Sequence, residues 1–406
     1  MDRIVIERLG HQGDGIASGV DGGPVYAPGT LPGEVVEGEI AAGHMAAPRI
    51  VTPVPERVSP PCRHAKRCGG CQLQHAALDF TAEWKRDVVI RALAAQGIEA
   101  DVRLTETSPP HSRRRATFSA RRTKKGATAG FHQKGSDVIV ENPDCLVVRP
   151  ALSAALPVVE ALTAAGASRK SEISVLVTDS DGGLDVAVRG GARPGPVAFA
   201  ELAQAHDLAR LSWDGETLTR RPPTQTFGRA QVAPPPGAFL QATAEGEAAL
   251  LDAVRHAVGD AARVADLFAG CGTFTLPLAE TAEVAAYESD AEMLAALDRG
   301  WRHATGLRKV TTQARDLFRN PLLPDELARF DAVVIDPPRA GAEAQINQIA
   351  RARVPRIAHV SCNPVTFARD TAALIAAGYA LGPVRVIDQF RWSTHVELAA
   401  TLTLER

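Results

Sequence analysis

The stretch Ala265–Ala279, ADLFAGCGTFTLPLA, decides the fold. An apolar run ends at two glycines, Gly270 and Gly272, and a helix-forming segment follows at once. Glycine permits the tight turn, and the amides at a helix start can then approach a ligand closely. Outward from this point the signals alternate. The helical segment QATAEGEAALLDAVRHAV precedes it, and EVAAYES, KVTTQA, FDAVVID and RIAHVS follow as strands separated by helices, before VRVIDQF and THVELAATLTL. Alternation of this kind specifies an α/β fold, a Rossmann-like, doubly wound and mostly parallel sheet, over residues 238–406.

Two joints precede that unit. The proline-rich TPVPERVSPP and RPPTQTFGRAQVAPPPG, the second ending at Gly237, divide the rest into 1–55 and 56–237. The first part reads as short β segments broken by glycines, which predicts a small barrel, and the second as a mixed α+β unit. With 406 residues and 45% apolar content the chain can fill a sizeable core. No stretch reaches the roughly 18 apolar residues of a membrane helix, and MDRIVIERLG carries charges where a leader would be apolar, so the expected compartment is the cytoplasm. Six cysteines in a chain of this size suggest metal binding or catalysis rather than a disulfide framework. A net charge of −2 argues neither for nor against a nucleic-acid partner.

The glycine loop departs from the dinucleotide pattern, since TFT stands where a third glycine belongs. Glu288, ending the next strand, stands where a carboxylate can hold two ribose hydroxyls, and with Gly270 and Gly272 it points to S-adenosylmethionine. Asp316, after KVTTQARD, is placed either for the adenine or as an ordinary cap. FDAVVIDPPRAG delivers Asp336 to the carboxyl edge of the sheet, where ligands of such folds bind. Cys362 ends the following strand and opens onto the same crevice. A thiolate is suited to adding at C6 of a uracil, whose C5, C6 and C4 carbonyl form a conjugated enone; C5 then accepts a methyl group, and a base must remove its proton. Glu397, on the last strand, is either that base or an outward-facing strand residue.

FLQ (239–241), DLFAGCGTF (266–274), DPPRAG (336–341), SCNP (361–364) and HVE (395–397) together resemble, in order, the RNA uracil-C5 methyltransferase family. The resemblance implies a class I S-adenosylmethionine-dependent methyltransferase domain in which Cys362 is the nucleophile and Glu397 the base. It implies that Gln241 and Asp336, at the border of cofactor and substrate, orient the uracil edge, and that Phe239 stacks on the base. That base must be flipped, because a stacked nucleotide cannot be flanked by thiolate and methyl donor together.

Cys62, Cys68 and Cys71 in CRHAKRCGGCQLQH, with Cys145 in ENPDCLV, supply four thiolates for either a structural zinc or an iron–sulfur site. The spacing does not fit a radical enzyme. Resemblance to the branch of the family that carries a 4Fe-4S cluster matches all four positions, and implies a structural or RNA-positioning role. Cys271 is neither ligand nor nucleophile. Between Ser108 and Ser136, RRRATFSARRTKKG offers Arg113, Arg114, Arg115, Arg121, Arg122, Lys124 and Lys125 with no acid in the window, a strand and hairpin able to neutralise phosphates. The first 55 residues resemble the TRAM domain, an OB-like RNA-binding barrel, although they hold few basic residues. His11 and His44 carry no assignment. The expectation is a monomeric enzyme that makes 5-methyluridine in 23S rRNA, without an obligate protein partner. Transfer RNA is the other candidate substrate, methylation of an exocyclic amine the other candidate reaction, and a non-catalytic RNA-binding protein the candidate of another class.

Overall fold

The computed structural model describes every residue except Val20, Asp21, Glu106 and Arg406. Its C-terminal part is built on an eight-stranded sheet. In spatial order the strands are Val310–Ala314, Glu283–Glu288, Arg263–Leu267, Ala332–Ile335, Arg356–Ser361, Glu397–Leu404, Tyr379–Ile387 and Val102–Leu104. The first five run parallel. Glu397–Leu404 is antiparallel to both neighbours. All four residues of Ala332–Ile335 are buried, as a strand covered by helices on both faces requires. The chain winds away from Arg263–Leu267 in both directions, so a crevice opens at the carboxyl ends of that strand and Ala332–Ile335. This is the doubly wound, mostly parallel sheet expected from the alternation.

One strand and one helix cross the joint at Gly237. Val102–Leu104 extends the sheet by pairing parallel with Tyr379–Ile387. Helix Leu78–Ala94 lays Val89 and Leu93 against Phe367, Val384, Val386, Val396 and Leu398. Burial of each such side chain contributes roughly 1.5–3 kcal/mol, enough in sum to weld the two parts.

The central unit is a seven-stranded sheet, antiparallel except where Gly183–Arg189 meets Arg210–Trp213. The basic run forms strand Arg115–Arg122 and turns back into Ala127–His132, the hairpin expected from its alternation. The N-terminal residues are all β. They form two three-stranded sheets around Ile6, Ala17, Val25, Ala27, Val36 and Met45, and their ladders stay separate where the glycine spacing predicts one barrel. No helix among the described residues is long and apolar enough to cross a membrane.

Candidate active site

The glycine loop turns in the left-handed region at Phe268, Gly270 and Gly272, with φ of 62°, 55° and 95°. The two glycines serve different ends. A Cβ on Gly270 would meet nothing within 4 Å, so the space before it is open. A Cβ on Gly272 would lie 2.8 Å from Leu297 Cγ, so that glycine lets the loop pack on helix Ala291–His303. Glu288 ties the next strand to this loop. Its Oε2 accepts from Gly270 N at 3.1 Å, and its Oε1 from Ser289 N at 2.7 Å and Asp290 N at 3.1 Å. Asp316 is exposed, and its Oδ1 accepts from Phe318 N at 3.0 Å and Arg319 N at 3.2 Å. Its visible work is the cap; Phe318, whose ring centroid lies 5.4 Å from that of Phe268, forms an apolar rim beside it.

Cys362 and Glu397 meet across neighbouring antiparallel strands. Ser361 pairs with Leu398, which sets the residue after the one strand level with the residue that begins the other. Both line one cavity of about 630 Å³. Burial, then the nearby carboxyls of Glu397 and Asp336, push the Cys362 thiol up to about 11, while Arg339 opposes the shift. Glu397 is buried, and burial followed by the proximity of Asp336 raises its carboxyl to about 8, against a hydrogen bond from Gln389. Burial raises the carboxyls of Asp336 and Asp266 to about 7 each. Carboxyls drawn toward neutrality beside the Cys362 thiol suit proton transfer at a reacting carbon, while the thiol itself is raised away from neutrality and needs a nearby cation such as Arg339 to ionise.

Gln389 joins these groups and is absent from the sequence reading. Besides Glu397 it holds Gln241, donating from Nε2 to Gln241 Oε1 at 2.7 Å, while its own Oε1 accepts from Ala242 N at 2.9 Å. Gln241 Nε2 in turn points at Asp336 Oδ2 at 3.5 Å. A polar residue ending the apolar strand VRVIDQF was its only signal. Phe239 presents its ring to solvent, 63% exposed, with the Arg115 guanidinium 5.7 Å from the ring centroid.

The chain is similar to known proteins along its length. A model of the tRNA (uracil-5-)-methyltransferase family matches residues 303–405. An uncharacterized RNA methyltransferase of Brucella suis biovar 1 is 44% identical over 100% of this chain and 98% of its own. The 23S rRNA (uracil(1939)-C(5))-methyltransferase RlmD of Halomonas elongata is 35% identical over 97% of this chain and 88% of its own. The chain belongs to the RNA uracil-C5 methyltransferase family. Among solved structures, the tRNA (uracil-54, C5)-methyltransferase of Pyrococcus abyssi in complex with S-adenosyl-L-homocysteine shares the fold, with a TM-score of 0.74 at 22% identity and 99% coverage of both chains.

The same cavity of the methyltransferase reaches Cys62, Cys68, Cys71 and Cys145. Backbone amides point at three of these sulfurs: His64 N at Cys62 Sγ (3.4 Å), Gly70 N at Cys68 Sγ (3.5 Å), and the amides of Val147 and Val148 at Cys145. Burial, reinforced by the other three thiols, pushes Cys71 up to about 12. Among the described residues no group of three or more His, Cys, Asp or Glu side chains is gathered so as to hold a metal ion. Cys271, between the two glycines of the loop, is buried.

The basic run divides. Arg114 is buried, ion-paired with Glu247 and donating from Nε to Gln241 O at 2.9 Å, so it is a structural cation and not a phosphate ligand. Arg121 is paired with Glu172 and Asp137, both at 2.9 Å and both outside the acid-free window, which corrects its reading as a free cation. Arg122, Lys124 and Lys125 are exposed at the hairpin turn. Arg113 lines the cavity with its guanidinium 5.9 Å from the centre of the Phe390 ring. Arg339 and Arg391 line it too, though sequence reasoning gave neither a role.

Proposed function

We propose that the protein methylates C5 of a uridine in 23S rRNA, with Cys362 adding to C6 of the base and Glu397 removing the C5 proton. The observation that carries the reading is the placement of Cys362 and Glu397 side by side on one cavity, with Gln241 and Asp336 linked to Glu397 through Gln389. S-adenosylmethionine, bound against Gly270, Gly272, Glu288 and Asp316, supplies an electrophilic methyl group. Everything else falls to the chain. Phe239 stacks on the flipped base, a contact worth roughly 1–3 kcal/mol. Gln241 and Asp336 face the uracil edge, where negative charge develops on the carbonyl as the S–C6 bond forms. Asp336, with a carboxyl near 7, holds a proton there in part of the population at neutral pH. Arg339 favours the thiolate of Cys362 over the thiol. Once C5 carries the methyl group, Glu397 takes the C5 proton, the C5–C6 double bond returns and the sulfur leaves.

The choice of ribosomal RNA follows the Halomonas relative; the name of the matched family model favours transfer RNA as the second reading. Four thiols around one cavity, three of them facing backbone amides, form a donor set of the kind that holds a 4Fe-4S cluster. Cys62, Cys68, Cys71 and Cys145 would hold it and brace the basic hairpin. The two N-terminal sheets would add an OB-like RNA-binding surface.

RNA substituted with 5-fluorouridine should form a complex with the wild-type protein that survives denaturation, and Cys362→Ala should form none. Methylation by Cys362→Ala at the wild-type rate would refute the addition. Mapping 5-methyluridine in cells with and without the protein decides between ribosomal and transfer RNA. Anaerobic purification should give a brown protein with about four irons per chain, and a colourless protein with one zinc would defeat the cluster.

A further inference from the structure

The segment from Asp388 to Val396 leads into the strand that carries Glu397, and it is held from outside the C-terminal unit at three points. Lys85, on helix Leu78–Ala94, is fully buried and donates from Nζ to Asp388 Oδ1 at 2.6 Å and to Phe390 O at 3.0 Å. The Asp388 carboxylate also accepts from Phe390 N and from Thr107 Oγ1, each at 3.1 Å. Farther along, Arg391 Nε donates to Ser108 O at 2.8 Å. Finally, Trp392 O accepts from Gln72 N at 2.9 Å and Leu73 N at 3.0 Å, directly after Cys71. Trp392 has φ of 59°, a conformation that a bulky side chain keeps only where its surroundings impose it.

Of these anchors Lys85 demands the most explanation. A lysine with no exposure is rare, and a buried ion pair often adds no more stability than a well-packed apolar pair would. What such a pair does supply is a fixed geometry. Asp388 immediately precedes Gln389, whose amide holds both Glu397 and Gln241. Helix Leu78–Ala94 is itself welded to the sheet by Val89 and Leu93, so the ammonium is a fixed point.

We propose that Lys85 is a positioning residue for proton removal: its bond to Asp388 sets Gln389, and through Gln389 the Glu397 carboxyl, against the substrate carbon. The inference rests on the reading of Glu397 as the base. Without the ammonium, Asp388 is left buried without its cation, the turn at Asp388–Phe390 relaxes, and Gln389 loses its aim. Addition by Cys362 depends on this segment only through Gln241, which has holds of its own on Asp336 and, through its backbone, on Arg114. Departure of the sulfur depends on it directly, because it waits for the C5 proton.

The test uses the full-length protein, S-adenosylmethionine and a 23S rRNA transcript. Glu397→Gln, Lys85→Met, Asp388→Asn and the double variant Lys85→Met with Asp388→Leu are compared. For Lys85→Met, the denaturation-resistant complex with unmodified RNA should accumulate, with release slowed roughly tenfold or more, the scale expected when a reacting group is misplaced by a fraction of an ångström. Capture of 5-fluorouridine RNA, which requires only addition and methyl transfer, should fall far less than release, because Gln241 keeps its holds on Asp336 and Arg114. The double variant strands no charge, so it should stay folded at the assay temperature and still release slowly, which a merely structural role would not produce. Should Lys85→Met fail to fold, Asp388→Asn, which keeps the size of the side chain, carries the same measurement. Wild-type release in the folded variants overturns the proposal, as does a loss of fluorouridine capture in proportion to lost activity without accumulation. Failure of Glu397→Gln itself to accumulate complex overturns the reading of the base, and the role of Lys85 with it.

Discussion

Replacing Glu397 with glutamine removes a titrating group from the catalytic cavity while keeping its shape, and the effect on stability has a definite sign. The carboxyl is raised from 4.5 to about 8 by burial and by Asp336. A group raised on folding stabilises the native state fully below its unfolded pKa, and that contribution disappears as pH climbs through the folded value. For Glu397 the loss spans pH 4.5 to 8. A tenfold difference in proton affinity between the folded and unfolded chain corresponds to about 1.36 kcal/mol, so from pH 6 upward the wild type forfeits about 3 kcal/mol that the glutamine variant keeps. With an unfolding entropy of roughly 2.1 cal/mol/K per residue, a chain of this length should then show the variant gaining about 3 °C on the wild type between pH 6 and pH 9. Melting followed by tryptophan fluorescence at the two pH values measures it, since Trp392 stands five residues before Glu397. Parallel behaviour of the two proteins across that range would refute the buried, proton-holding carboxyl. The same pKa gives turnover a limb rising through about pH 8, because the base must be ionised to accept a proton.

Three further outcomes follow from other sites. His359 is 1% exposed, neither ring nitrogen has a hydrogen-bond partner among the described residues, and its imidazole is pushed down to about 3 by burial, so His359→Leu should raise stability by about 1–2 kcal/mol in a urea titration, and a loss of that size would contradict it. Phe239→Ala should weaken RNA binding by roughly 5- to 150-fold, the range for losing one base stack, and leave the affinity for S-adenosylmethionine unchanged; equal effects on both would remove the stacking role. Arg114→Met should cost about 3–5 kcal/mol of stability by stranding Glu247, with no change in the salt dependence of RNA binding, whereas Arg122→Ala should lower that salt slope by about one and leave melting unchanged. An altered salt slope for Arg114→Met would return it to the phosphate-binding group.

What the sequence made legible is local in character. Strand AVVI announces itself because a strand buried on both faces is a continuous apolar run, and the glycine loop because only glycine suits its turn and its close approach to helix Ala291–His303. Val102–Leu104 was illegible, being three residues long and joined to a strand that begins at Tyr379. The contact between Lys85 and Asp388, 303 positions apart, leaves no periodic trace in either segment. The basic run lies between these extremes. Arg114 shares its parity with Ala116, Phe118 and Ala120, all buried, while Arg113 and Arg115 alternate with them on the more open face. Successive side chains of an extended chain point to opposite faces, so the apolar members of RRRATFSARR already assign Arg114 to the interior, where a cation must find an acid. Glu247, in the first turn of helix Ala244–Val258, is that acid. Arg121 has the open parity, yet the cross-strand register sets it opposite Glu172, a fact that only the folded sheet contains. Alternation along a strand therefore separates inward cations from outward ones, and register across strands decides which outward ones stay free for a phosphate.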